Sequence, residues 1–198
     1  MGQFDLTMVK YFSDKARFAD LFNGVFFGGI AVIDAACLTD ASERYITEEP
    51  PHRATDRLRD IKMQLNTGTA LRILAVENQS YIDYTLPLRS MQYDFLEYQK
   101  QYRSIAKQNR KLNRLGTADE WLSGMTQSDR LTPVYTLCLY HGEKPWTGPR
   151  TLKDMMAFGD EPERMSNLFT DYPLRLYCIN EQTDFHMFHT EVCDFSPH

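Results

Sequence analysis

The sequence predicts a mixed α/β domain with a central sheet covered by helices. Three observations point there: apolar residues at helical spacing over 13–27, a strand-turn-strand pattern over 57–79, and a long amphipathic segment after Pro87 that precedes a β-rich run at 133–140. At 198 residues the chain can bury one sizeable core. No low-complexity stretch or linker divides it, so one domain over 1–198 is expected.

Phe18, Leu21, Phe22, Val25 and Phe26 recur as one helix face, with Ser13 a suitable N-cap, Asp14 in the first turn, and Gly28-Gly29 as the stop. Ile30 to Arg53 carries Ala-Val-Ile-Asp and Glu-Glu-Pro-Pro and is read as an irregular connection. Arg57 to Gln64 and Ala70 to Gln79 are strand-like, and Asn66-Thr67-Gly68-Thr69 between them is turn chemistry, so together they predict an antiparallel hairpin. Pro87 suits a helix N-terminus, and Leu88, Met91, Phe95, Tyr98, Tyr102 and Ile105 then alternate three and four apart. That seam is expected to pack on the sheet. Pro133 to Tyr140 reads as a buried strand, Leu174 to Ile179 as another, and Thr151 to Phe158 as a short helix between them.

Composition narrows the function classes. No run approaches the roughly 18 apolar residues of a bilayer span, and the N-terminus lacks a basic segment followed by an apolar stretch. A cytoplasmic protein is expected. Cys37, Cys138, Cys178 and Cys193 form no C-x-x-C pair, which argues against a zinc knuckle or a disulfide framework. A net charge of −5 argues against a protein that coats nucleic acid indiscriminately, although a local basic face can still grip phosphates. There is no Gly-rich phosphate loop or dinucleotide fingerprint, so no organic cofactor is expected.

The chemistry-bearing pattern lies on the hairpin. Leu71, Ile73, Ala75, Glu77 and Gln79 share one face of their strand, because side chains alternate with period two. If the turn centres on Gly68 and Thr69, positions summing to about 137 face each other, which sets Asp60 across from Glu77. Residues so opposed have Cβ atoms ~5 Å apart. Two carboxylates that close repel unless one is protonated or a cation intervenes, and hard oxygen donors suit Mg²⁺ or Mn²⁺. Gln79 could hold a water or a phosphate oxygen, but an amide is no general base near neutral pH. The plainer alternative is that Asp60 and Glu77 are ordinary charged residues balanced by Arg57, Arg59, Lys62 or Arg72. A one-residue slip in register would also separate them onto opposite faces.

The strings Arg57-Leu58-Arg59-Asp60, Leu74-Ala75-Val76-Glu77-Asn78-Gln79 and Leu86-Pro87-Leu88-Arg89-Ser90-Met91-Gln92-Tyr93-Asp94 resemble the recombination-promoting nuclease / putative transposase group of the PD-(D/E)XK superfamily. So does Arg17-Phe18-Ala19-Asp20-Leu21-Phe22-Asn23 followed by Phe26-Phe27-Gly28-Gly29, and the best-matched core covers about 13–115. The resemblance implies a restriction-endonuclease-like core, a central mixed sheet flanked by helices, that cuts DNA with Mg²⁺. By that analogy Asp60 and Glu77 bind metal, and Gln79 stands where the superfamily's motif has lysine. Lys62, two residues after Asp60, is a candidate for the missing charge, and Asp20 is a candidate for a further carboxylate.

Arg89 and Tyr93 lie four apart on the long helix and share a face, from which they could reach a phosphate. Alternatively Arg89 pairs with Asp94 or another acid and Tyr93 packs in the core. Farther along, Lys100, Arg103, Lys107, Arg110, Lys111 and Arg114 make a basic cluster, the best candidate for DNA contact, although such runs are more often a solvated face. Trp121 and Trp146 could stack on bases or anchor loops. His186 and His189 read as part of a packed or surface strand rather than as metal ligands. The expected function is a metal-dependent DNA endonuclease linked to recombination, mobile elements or defence, with a homodimer plausible because a double-strand break calls for two active sites. The rival is a catalytically silent relic that binds DNA or a protein.

Overall fold

Asp14, not Ser13, opens the helix expected over 13–27. Its carboxylate accepts from the backbone N–H groups of Ala16 and Arg17, whereas the Ser13 hydroxyl donates back to the Val9 carbonyl at 2.7 Å and so closes a preceding helix. In the computed structural model, which describes residues 3–41, 45–49, 53–57, 61–160 and 163–190, these two helices are α1 (Gln3–Phe12) and α2 (Lys15–Phe27). Gly28, at φ 61°, ends α2 by donating to the Asn23 carbonyl, a left-handed cap that favours glycine.

The stretch expected to be irregular contains a 3₁₀ turn (Ala35–Cys37), strand β1 (Leu38–Asp40), and β2 (Tyr45–Glu49), which pairs antiparallel with β3 (Arg53–Arg57) as a separate two-stranded ribbon. A strand of three residues carries too little periodicity to register in a sequence pattern. What fixes the path is tertiary: the Asn23 side chain, 7 % exposed, donates to the Ile33 carbonyl and accepts from the N–H groups of Val32 and Ile33.

The hairpin forms as β4 (Ile61–Asn66) and β5 (Leu71–Gln79), with Ile61 opposite Val76 and Leu65 opposite Arg72, the register expected from the turn. Asn66 Oδ1 accepts from Gly68 N at 2.9 Å, and Gly68 has φ 81°. A 26-residue helix, α3 (Leu86–Lys111), follows. Then come α4 (Ala118–Ser123), β6 (Val134–Tyr140), α5 (Glu163–Ser166) and β7 (Leu176–Cys178). α4 starts on a capping box in which Thr117 and Glu120 exchange side-chain-to-backbone bonds. The helix expected at 151–158 is only a 3₁₀ turn, Lys153–Met155. His186 and His189 lie in turns rather than a strand, with Phe188 packed against Gly24 and Tyr177.

The main sheet runs β1-β4-β5-β6-β7, antiparallel through its first three strands and parallel from β5 onward. One face is apolar. Ile61, Met63, Leu74, Val76, Leu137 and Leu139 pack there against Met8 and Phe12 of α1 and Phe18, Leu21 and Phe22 of α2. α3 covers the other face, and over its first half its orientation reverses the expectation. Leu86, Ser90, Tyr93 and Glu97 point inward, while Leu88, Phe95 and Tyr102 are 47 %, 58 % and 38 % exposed. The inward groups are tolerated because the sheet offers them partners, a term that hydropathy spacing does not contain. No helix among the described residues is long and apolar enough to cross a membrane.

Candidate active site beneath α3

Side chains alternate along β5, so Ala75, Glu77 and Gln79 lie on the side opposite the apolar core, with Lys62, Thr136, Cys138 and Tyr140 beside them in register. This layer is polar and dry at once: Lys62, Glu77, Gln79, Ser90, Glu97 and Thr136 are each at most 5 % exposed. Such groups stay buried only when paired or hydrogen-bonded. Lys62 Nζ meets Glu97 Oε2 at 3.0 Å. The Asp94 carboxylate accepts from the Thr136 hydroxyl at 2.7 Å and from the Tyr172 hydroxyl at 2.6 Å, tying α3 to β6 and to the segment before β7.

Arg89 is the hinge of the site. One arm of its guanidinium meets Glu77 Oε1 at 2.7 Å and the other Asp83 Oδ2 at 2.5 Å. Burial works against its charge, but the two carboxylates more than offset this and raise its pKa above the ordinary arginine value. Asp83 is fixed in turn, accepting from the backbone N–H and hydroxyl of Thr85 ahead of α3. Gln79 Nε2 lies 3.4 Å from Glu77 Oε1, whereas Gln79 Oε1 is buried without a hydrogen bond among the described residues. Cys138, paired with Glu77 in register, is no nucleophile: burial pushes its thiol up to about 12.

Of the residues singled out from sequence, the structure brings Glu77, Gln79, Arg89 and Lys62 into this layer, with Tyr93 buried on the same side of α3. Asp60 lies outside the described residues. Asp20 is engaged elsewhere: its two oxygens accept from the N–H groups of His189 and Thr190 and from the Thr190 hydroxyl, at 2.7–2.9 Å, fastening the segment at 185–190 to α2. Lys100, Arg103, Lys107, Arg110, Lys111 and Arg114 are all exposed. Spaced three or four apart, Lys100, Arg103, Lys107 and Arg110 form one stripe along the second half of α3. Trp146 is buried edge-on against Tyr140, and Trp121 on α4 is exposed.

Glu97 and Asp83, which carry the ion pairs to Lys62 and Arg89, escaped the sequence pattern. Glu97 lies four residues beyond Tyr93, so the Arg89–Tyr93 face continued by one turn would have found it. Asp83, two residues before Thr85 and four before Pro87, carries the signature of an Asx turn leading into a helix.

Two carboxylates and an amide oxygen at one strand end would be a hard-oxygen donor set, and the unpartnered Gln79 Oε1 fits it. Among the described residues, no group of three or more His, Cys, Asp or Glu is placed to hold a metal ion, so a metal would need Asp60 beside Glu77.

A family model described as "Putative transposase, YhgA-like" matches residues 5–192. No curated protein and no solved structure matches the chain. Since the match leaves only a few residues at either end, the chain belongs to the YhgA-like transposase family.

Proposed function

We propose that the protein is a metal-dependent endonuclease that hydrolyses DNA phosphodiester bonds, built on a PD-(D/E)XK core and acting in recombination, mobile-element movement or defence. The observation that carries this reading is the burial of Glu77 and Gln79 together at the end of β5, under a helix that supplies Arg89 to one and leaves the amide oxygen of the other available. Membership in a transposase-like family supports it. So does the mixed sheet with helices on both faces.

In this reading Asp60 and Glu77 hold Mg²⁺ or Mn²⁺. Asp60 is the chain neighbour of Ile61, which pairs with Val76, itself next to Glu77. The cation would lower the pKa of a bound water and offset charge on the phosphate oxygens. Gln79 orients that water or a phosphate oxygen. Arg89 aims Glu77 through their 2.7 Å ion pair, and with its side chain 21 % exposed it can also approach a phosphate. Lys62 takes no proton-transfer role here; paired with Glu97 it positions β4 against α3. The stripe from Lys100 to Arg110 supplies the backbone grip.

The test is plasmid cleavage with Mg²⁺ or Mn²⁺ across pH and salt. Native protein should nick or linearise the plasmid, and Asp60→Ala and Glu77→Ala should each abolish cutting. An intact plasmid under all conditions overturns the activity. Cutting that survives both substitutions overturns the site.

A further inference from the structure

On the opposite face of the sheet, at the start of β5, lies a cleft of about 620 Å³ between the end of α2 and the strands. Phe22 and Phe26 of α2 form one wall, and Leu74 with Tyr135 form another. Arg72 and Arg175 also line it. Neither arginine makes an ion pair or hydrogen bond to a carboxylate among the described residues. Arg175 rests over the Tyr135 ring at 5.9 Å, and Arg72 faces the cleft from β5. In a chain with more acids than bases, two guanidiniums left without an acid beside an aromatic cleft stand out. Arg72 is five positions from Glu77 on β5, and at roughly 3.3 Å per residue that is about 16 Å, on the other side of the sheet. The cleft is therefore independent of the site beneath α3.

We propose that this cleft binds a small amphipathic carboxylate, with its apolar body between Phe22, Phe26 and Leu74 and its carboxylate against Arg72 and Arg175. The volume is that of an ordinary small-molecule pocket, and an apolar enclosure with a few convergent polar groups is how such pockets orient a ligand. Guanidinium is the cation whose fork matches a carboxylate, and it keeps its charge at every accessible pH. A neutral amphiphile would leave both arginines unanswered, and acetate would leave the apolar walls uncovered.

Calorimetric titration of the full chain with sodium octanoate, 1-octanol and sodium acetate tests the assignment. Octanoate should bind at one site per chain, about tenfold or more tighter than octanol, with acetate giving no binding. In the double variant Arg72→Leu/Arg175→Leu, octanoate and octanol should bind within about twofold of each other, because the walls remain while the charge partner is gone. The proposal is overturned if octanoate binds no tighter than octanol, if the preference survives in the double variant, if acetate binds as well as octanoate, or if neither amphiphile binds. A chain that sediments as a dimer and excludes octanoate would place a second copy in the cleft and also overturn it.

Discussion

Arg89 and Glu77, twelve positions apart in the chain, meet at 2.7 Å where β5 passes under the first turn of α3. The contact fixes the helix on the sheet and orients the one described carboxylate that the proposed reaction gives to the metal. Arg89→Ala should lower the cleavage rate by about 10²-fold, the scale of removing one preorganised charge donor. Arg89→Lys should recover only part, because a single ammonium cannot bridge Glu77 and Asp83 as the planar fork does. Single-turnover cleavage rates check this; a native rate in Arg89→Ala would remove Arg89 from the reaction.

The Lys62–Glu97 pair, each partner at most 4 % exposed, should be costly to break from one side. Glu97→Ala should destabilise the fold by about 3–5 kcal/mol, because it takes the 3.0 Å ion-pair partner from a buried ammonium. For a domain of this size that corresponds to a fall in Tm of roughly 6–20 °C. Replacing both partners, Lys62→Met with Glu97→Leu, should recover most of it. Thermal unfolding of the three variants decides the matter: a double variant no more stable than Glu97→Ala would show that the pair is not the source.

Lys100, Arg103 and Lys107 stand on the same side of α3 and are open to solvent. Their joint change to Gln should weaken DNA binding and reduce the slope of log K against log salt by about 2–3, since each lost phosphate contact removes about 0.9. Fluorescence anisotropy in EDTA reads this without cleavage. An unchanged slope would assign the stripe to solvent.

Asp129 accepts from the Thr126 N–H at 2.7 Å and from Asn109 Nδ2 at 2.7 Å, and these bonds hold its carboxyl below the ordinary range. A carboxyl whose folded pKa is depressed stabilises the fold above its unfolded value, about pH 4, and loses that contribution as pH falls from there to the folded pKa. Asp129→Asn should therefore lower Tm at pH 7, and the gap to the native chain should close on acidification below about pH 4. A gap that stays constant with pH would mean that geometry, not ionisation, holds the loop to α3.

The register of the hairpin was legible because Asn66-Thr67-Gly68 fixes the turn, and a fixed turn fixes every pair behind it; the bounds of its first strand were not, since the strand expected over 57–64 is β4 at Ile61–Asn66 and Arg57 belongs to β3. The direction of α3 was not. Its apolar residues recur at 88, 91, 95, 98, 102 and 105, yet over its first half the buried side is 86, 90, 93 and 97, because Glu97 and Arg89 have partners on the sheet that draw that face inward. Periodicity locates a helix but ranks its faces by hydropathy alone, and a paired charge reverses that ranking. Asp20 went the same way: a carboxylate on α2 invites a catalytic role, but its bonds to His189 and Thr190 span about 170 residues and leave no trace in local sequence.

Cys138 and Cys178 are 1 % and 2 % exposed, and burial raises their thiols to about 12 and 11. Sealed in the cluster with Leu86, Tyr140 and Trp146, they can meet an alkylating reagent only when the layer between α3 and the sheet opens. The chain thus carries its own clock for that opening. Mass-resolved labelling of Cys138, the register partner of Glu77, would time how often that layer opens, with no engineered residue and no substrate required.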